Sequence, residues 1–129
     1  MPENERSITF MIFDLDGTLV RSGNDIASAV NHALERLSLP QIETGQILKF
    51  IGDGVQVLIE KSLGPENIHR LPDAMSLFTA YYDDHMLDTT DLFEDVHEVL
   101  SHFSRQIKVI VTNKRCAPAR AMVEALRIA

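Results

Sequence analysis

The feature that most constrains this chain is a short β-branched and aromatic run, Ile8 to Phe13 (ITFMIF), that stops at Asp14-Leu15-Asp16-Gly17. Such a run suits a strand buried on both faces, as in a parallel sheet. The same kind of run returns at Ile107 to Val111 (IKVIV) and stops at Thr112-Asn113-Lys114. Ligands of parallel sheets sit beyond the carboxyl ends of the strands, so both polar clusters are expected in one site. Gly17 supplies the tight turn after the first strand.

Between the strands the pattern is helical. Ile26, Val30, Ala33, Leu34 and Leu37 recur at three- and four-residue spacing, with Asn24 as N-cap and Pro40 as stop. Thr44 to Phe50 reads as a short helix broken at Gly52-Asp53-Gly54. Another follows with Val55, Leu58, Ile59 and Ser62 on one side and Gly64-Pro65 behind it. Pro72-Asp73 opens a helix whose stripe of Met75, Phe78 and Tyr82 is expected to be core. The acid-rich stretch Asp83 to Asp95 lacks a calcium-loop spacing and reads as a solvated return linker. Asp95 should cap a helix with Val96, Val99, Leu100 and Phe103 inward. Pro118 fits the first turn of a last helix carrying Met122, Val123 and Leu126, and Cys116 is expected to pack.

The fold class expected is therefore α/β, a Rossmann-like parallel sheet core with an inserted all-helical segment. The divisions are core over 1–20, helical insert over 21–88 and core again over 89–129.

Composition excludes several classes. The 129 residues carry a net charge of -7 and 45% hydrophobic content, ordinary for one globular domain. No apolar run reaches membrane-spanning length, and Met1 to Ser7 is polar with two acids, unlike a signal peptide. One cysteine fits a reducing compartment, so a cytoplasmic protein is expected. All acids but Glu124 precede residue 105, while six of the 12 Lys and Arg lie in residues 105–129. Those six lie scattered through a strand and a helix with no aromatic interleaving, so no nucleic-acid partner is expected.

Two carboxylates two residues apart at a strand end repel unless a cation or proton sits between them. Magnesium answers this with oxygen ligands, waters and phosphate oxygens. An aspartate can then attack phosphorus to form an acyl phosphate, and a second carboxylate can protonate the leaving oxygen and later activate water. Thr112 and Asn113 can hydrogen-bond the transferring phosphoryl oxygens.

The residues Phe13-Asp14-Leu15-Asp16-Gly17-Thr18-Leu19-Val20 resemble the first motif of the haloacid dehalogenase superfamily, and Val111-Thr112-Asn113-Lys114 resembles its second. The helical insert is similar to the cap of its phosphoglycolate phosphatase group, and Ile51-Gly52-Asp53-Gly54-Val55 to the cap loop that faces substrate. The resemblance implies a magnesium-dependent phosphatase acting on a small phosphorylated metabolite such as phosphoglycolate. It makes Asp14 the nucleophile and Asp16 the general acid/base. Magnesium would be held by the Asp14 carboxylate and the Asp16 carbonyl. Gly17, Thr112, Asn113 and Lys114 would bind phosphate or substrate. An acid at position 16 separates the chain from the dehalogenases.

Three stretches depart from the group: Arg21 for a common Asp, Phe93-Glu94-Asp95 for Tyr-Pro-Gly, and Arg115 for a usual Pro. The family's third and fourth motifs, a lysine and an acidic pair, have no counterpart before Ala129. That leaves the first strand with an open edge, so a homodimer or swapped assembly is expected. Other readings from the same residues are a non-catalytic dimerisation module, a phosphomutase, and Schiff-base phosphonate cleavage through Lys49 or Lys61.

Overall fold

Strand β1 (Phe10–Phe13) runs parallel to β4 (Ile107–Ile110), with Phe10 opposite Ile107 and Phe13 opposite Ile110. The structure, a computed structural model, describes residues 8–129, so the reading of Met1 to Ser7 lies outside it. The α/β class with a parallel sheet is as expected. Burial on both faces is not. Burial alternates along both strands. Ile8, Phe10, Ile12, Ile107, Val109 and Val111 are exposed on one face, whereas Phe13 and Ile110 pack against Leu15, Val20, Val96 and Met122 on the other. The reason is coverage: α5 (Val96–His102) and α6 (Cys116–Ala125) lie on a single face, and no described element lies on the opposite one. Among the described residues β1 has β4 as its one partner, so its far edge is unpaired.

Between the strands come β2 (Val20–Arg21), α1 (Gly23–Arg36), α2 (Thr44–Leu48), α3 (Val55–Leu63), a 3-10 turn (Pro65–Arg70), α4 (Leu71–His85) and β3 (Asp91–Leu92). Helices α1 to α4 build their own core around Val30, Ile47, Ile59 and Phe78, separate from the cluster under the sheet. Phe78 and Tyr82 are buried and Met75 partly so, in line with the expected stripe.

Five local expectations need correction. Helix α1 begins at Gly23 behind Ser22, and the Ser22 side chain makes no cap bond; Asn24 lies exposed inside the first turn. The Ser22 hydroxyl is engaged elsewhere, donating to Asp16 Oδ1 at 2.6 Å. The helix ends at Arg36, where the Leu37 N–H bonds the Ala33 and Leu34 carbonyls and Ser38 turns left-handed at φ 59°, ahead of Pro40. Asp95 precedes α5 but its side chain caps nothing, and Val99 faces solvent. Cys116 is exposed on the first turn of α6.

The acid-rich return stretch is more ordered than a solvated linker. Asp83 and Asp84 belong to α4 and Asp91 to β3. Strands β2 and β3 pair antiparallel, Val20 with Leu92 and Arg21 with Asp91, so the outgoing and returning chains run side by side. Just beyond, the buried Asp25 carboxylate accepts from the N–H and the hydroxyl of both Thr89 and Thr90, at 2.7–3.1 Å. The sequence offered no sign of this, because the partners lie more than sixty residues apart.

Burial pushes the Asp25 carboxyl up, but the four donors outweigh it and hold the group below its ordinary 3.8. A carboxylate depressed in the folded state stabilises fully above its unfolded value and loses that contribution as pH falls through the folded one. Asp25→Ala is expected to cost on the order of 3 kcal/mol, because it leaves the N–H and hydroxyl of buried Thr90 without an acceptor. Urea unfolding at neutral pH measures this. In Asp25→Asn the share of acid destabilisation that sets in below about pH 3.8 should shrink. An unchanged acid limb would show that the clasp is not a titrating contact.

Candidate active site

The two strand ends do converge. A cavity of about 50 Å³ is lined by Asp14 and Asp16 after β1 and by Thr112, Asn113, Lys114 and Arg115 after β4. Its opposite wall comes from the helical part and includes Ile51, Gly52, Val55, Phe78 and Tyr82. Gly17 is not among the lining residues. At φ +82° it turns the chain, and its N–H is engaged by the Val20 carbonyl at 2.9 Å. Lys49 and Lys61 are exposed and do not line the cavity.

The two aspartates are held differently. Asp14 is exposed; its Oδ1 accepts from the Leu15 N–H at 2.8 Å, and its Oδ2 has no hydrogen bond among the described residues. Asp16 is anchored. Its Oδ1 accepts from Ser22 at 2.6 Å, and Lys114 Nζ lies 3.2 and 3.3 Å from its two oxygens. The same ammonium donates to the Tyr82 hydroxyl at 2.5 Å. Lys114 is 5% exposed, and burial presses its ammonium below the usual lysine value, against the opposing pull of Asp16. Burial, reinforced by Asp16, pushes the Tyr82 phenol far above its ordinary value, so it stays protonated.

Three consecutive residues after β4 each cross to the helical wall. Asn113 Nδ2 donates to the Gly52 carbonyl at 2.8 Å, Lys114 to Tyr82, and Arg115 to the Asp83 carboxylate. Gly54, at φ +94°, passes close enough that a Cβ there would stand 3.6 Å from the Asn113 carbonyl. The glycine loop therefore rests directly on Asn113.

A hard cation fits the donor set in kind. The Asp14 Oδ2 is free, and the Asp16 carbonyl accepts no hydrogen bond among the described residues. Oxygen atoms of this kind suit magnesium. Among the described residues no group of three or more His, Cys, Asp or Glu is placed to hold a metal.

A family model described as haloacid dehalogenase-like hydrolase matches residues 11–129. The chain belongs to that family. It is 34% identical to the phosphoglycolate phosphatase of Mannheimia succiniciproducens over 129 residues, covering 90% of this chain and 56% of that one. It is 35% identical to the phosphoglycolate phosphatase of Colwellia psychrerythraea over 113 residues, covering 81% and 50%. Among solved structures, a protein described as a predicted phosphoglycolate phosphatase from Haemophilus somnus superposes with a TM-score of 0.85 at 27% identity, over 94% of this chain and 58% of that one. The chain spans about half the length of the curated relatives it matches.

In this haloacid dehalogenase-like chain, position-by-position reading found the strand-end residues but missed two that grip Asp16, directly or through Lys114. Ser22 lies six residues beyond Asp16 and carried no spacing signal. Tyr82 was legible as a core position and does stack on Phe78, with ring centroids 5.3 Å apart. Its one polar sign was a hydroxyl on a stripe that a phenylalanine would fill, and buried tyrosine hydroxyls seek partners. Tyr82→Phe should lower stability by about 1–2 kcal/mol, because Lys114 loses one acceptor in a buried setting. Amide hydrogen exchange should speed up on α4 and around Gly52. If protection there stays at the wild-type level, the bridge does not hold the two walls together.

Proposed function

We propose that the chain carries the nucleophile and the substrate-facing wall of a magnesium-dependent phosphomonoester hydrolase acting on a small phosphorylated metabolite of the phosphoglycolate type. The observation that carries this reading is the unlike treatment of two carboxylates in one cavity. Asp14 has an oxygen open to the cavity, and Asp16 is fixed from two sides. In the reaction, Asp14 Oδ2 attacks phosphorus and the ester oxygen departs, leaving an acyl phosphate on Asp14. Asp16 protonates the departing oxygen, then takes a proton from the water that attacks the acyl phosphate and releases inorganic phosphate. For Asp16 to hold a proton Lys114 must turn from it, and the incoming phosphate dianion is the competing acceptor. Thr112 is read as a donor to the phosphoryl oxygens; in support, its Oγ1 accepts from the Lys114 N–H at 3.1 Å, which orients the hydroxyl.

Asp14 and the Asp16 carbonyl would hold magnesium; when bound, it supplies charge compensation for the carboxylates and the phosphoryl oxygens. Two protein oxygens are few for an ion that prefers about six, so the 129-residue chain alone should bind magnesium weakly and turn over slowly. We read the helical part as the cap over this site, and a cytoplasmic setting as the natural one. No helix of the described residues is long and apolar enough to cross a membrane.

In a form matching the length of its relatives, Asp14→Asn should lower phosphate release from phosphoglycolate at least about a thousandfold without unfolding the protein. Asp16→Asn should also cripple turnover, while leaving attack by Asp14 possible. A malachite-green assay reads both, and substantial turnover by Asp14→Asn would contradict the assignment.

A second reading, self-association, is favoured by the uncovered face of the β1–β4 sheet. Six large apolar side chains are exposed there, beside an unpaired edge. Such a surface buries itself against a second copy when nothing else covers it. Light scattering on the 129-residue chain should report a dimer or larger species. A monomer at high micromolar concentration would remove this reading.

A further inference from the structure

We propose that Arg115 selects phosphate esters whose leaving alcohol carries a carboxylate, with Asp83 holding its guanidinium in place until that carboxylate arrives. The proposal deepens the phosphatase reading and takes its phosphoryl end from it. Arg115 lines the cavity immediately after Lys114 and precedes the first turn of α6. It reaches across to α4, where one Nη donates to Asp83. Its Nε, in contrast, is buried and has no acceptor among the described residues. A buried donor of a charged group is costly when unpaired, so this guanidinium gains by turning to an anion that takes Nε and Nη together. The fork of a guanidinium matches a carboxylate with two parallel hydrogen bonds, which one Asp83 oxygen does not supply.

The rest of the cavity supports the choice of ligand. Lys114 is already held by Asp16 and Tyr82, leaving Arg115 as the lining cation with an unfilled donor. Ile51, Val55 and Phe78 offer a carboxylate no hydrogen bond. The Asp83 pair is replaceable: its side chains are 39% and 46% exposed, a setting in which ion pairs are weak and water competes.

The test uses two small esters, 2-phosphoglycolate and ethyl phosphate, which share the phosphoryl group and differ in the carboxylate. In the 129-residue chain with magnesium, the Arg115 Nε–H resonance should shift on titration with 2-phosphoglycolate and stay in place with ethyl phosphate. In a form with turnover, Arg115→Lys keeps the charge and loses the fork. It should lower the ratio of kcat/KM between the two esters about tenfold, through KM for 2-phosphoglycolate. An unmoved Nε–H resonance, or an unchanged ratio, overturns the proposal. If neither ester releases phosphate, the phosphatase reading fails and the resonance still decides the Arg115 contact.

Discussion

Two negative charges at one strand end organise this structure. Asp14 and Asp16 follow β1 with one residue between them and line the same cavity. Left alone they repel, and a folded chain must supply compensation. It arrives from the neighbouring strand: parallel pairing of β1 and β4 puts Lys114 beside Asp16, ninety-eight residues away in sequence. Asp14 receives no such partner among the described residues. The asymmetry separates the two acids chemically, one fixed and one open. Parallel register comes first, because without it neither the lysine nor Thr112 reaches the first strand.

The helical part is tied to this pair at two places of different character. At the neck, the β2–β3 ladder and the Asp25 clasp join outgoing and returning chains through backbone bonds and a buried carboxylate. At the cavity, Asn113, Lys114 and Arg115 reach Gly52, Tyr82 and Asp83 through side chains, two of them partly exposed. The neck contacts are multiple and centre on a buried carboxylate, whereas those at the cavity are single bonds that a ligand anion can exchange. An opening motion would therefore break the second set before the first. In that sense the residues proposed to meet substrate and those that bridge the two walls are the same ones.

Much of this was legible in the sequence where the signal was local. The two strands, the turn at Gly17, the helices around Thr44, Val55 and Pro72, and the convergence of both strand ends followed from composition and spacing. What failed depended on distant partners. Nothing near Asp25 announces Thr89 and Thr90, and α1 starts at Gly23 with the Ser22 hydroxyl on Asp16 and no side-chain cap. The strands read as buried on both faces because β-branched runs record what a strand is suited to, while the second covering layer is a tertiary fact. Tyr82 was placed correctly in the core, but its hydroxyl looks toward a lysine that arrives thirty-two residues later.

The central claim is that Asp14 carries the phosphoryl group. The most direct measurement is acid quench of Asp16→Asn during exposure to 2-phosphoglycolate and magnesium, followed by peptide mapping by mass spectrometry. Loss of the acid/base should slow breakdown of the intermediate more than its formation. The account predicts a phosphoryl adduct on the peptide containing Asp14, fragmenting to that residue and absent from the Asp14→Asn, Asp16→Asn double variant. An adduct on another residue, or phosphate release by a form with turnover while Asp14 stays unmodified, would contradict it.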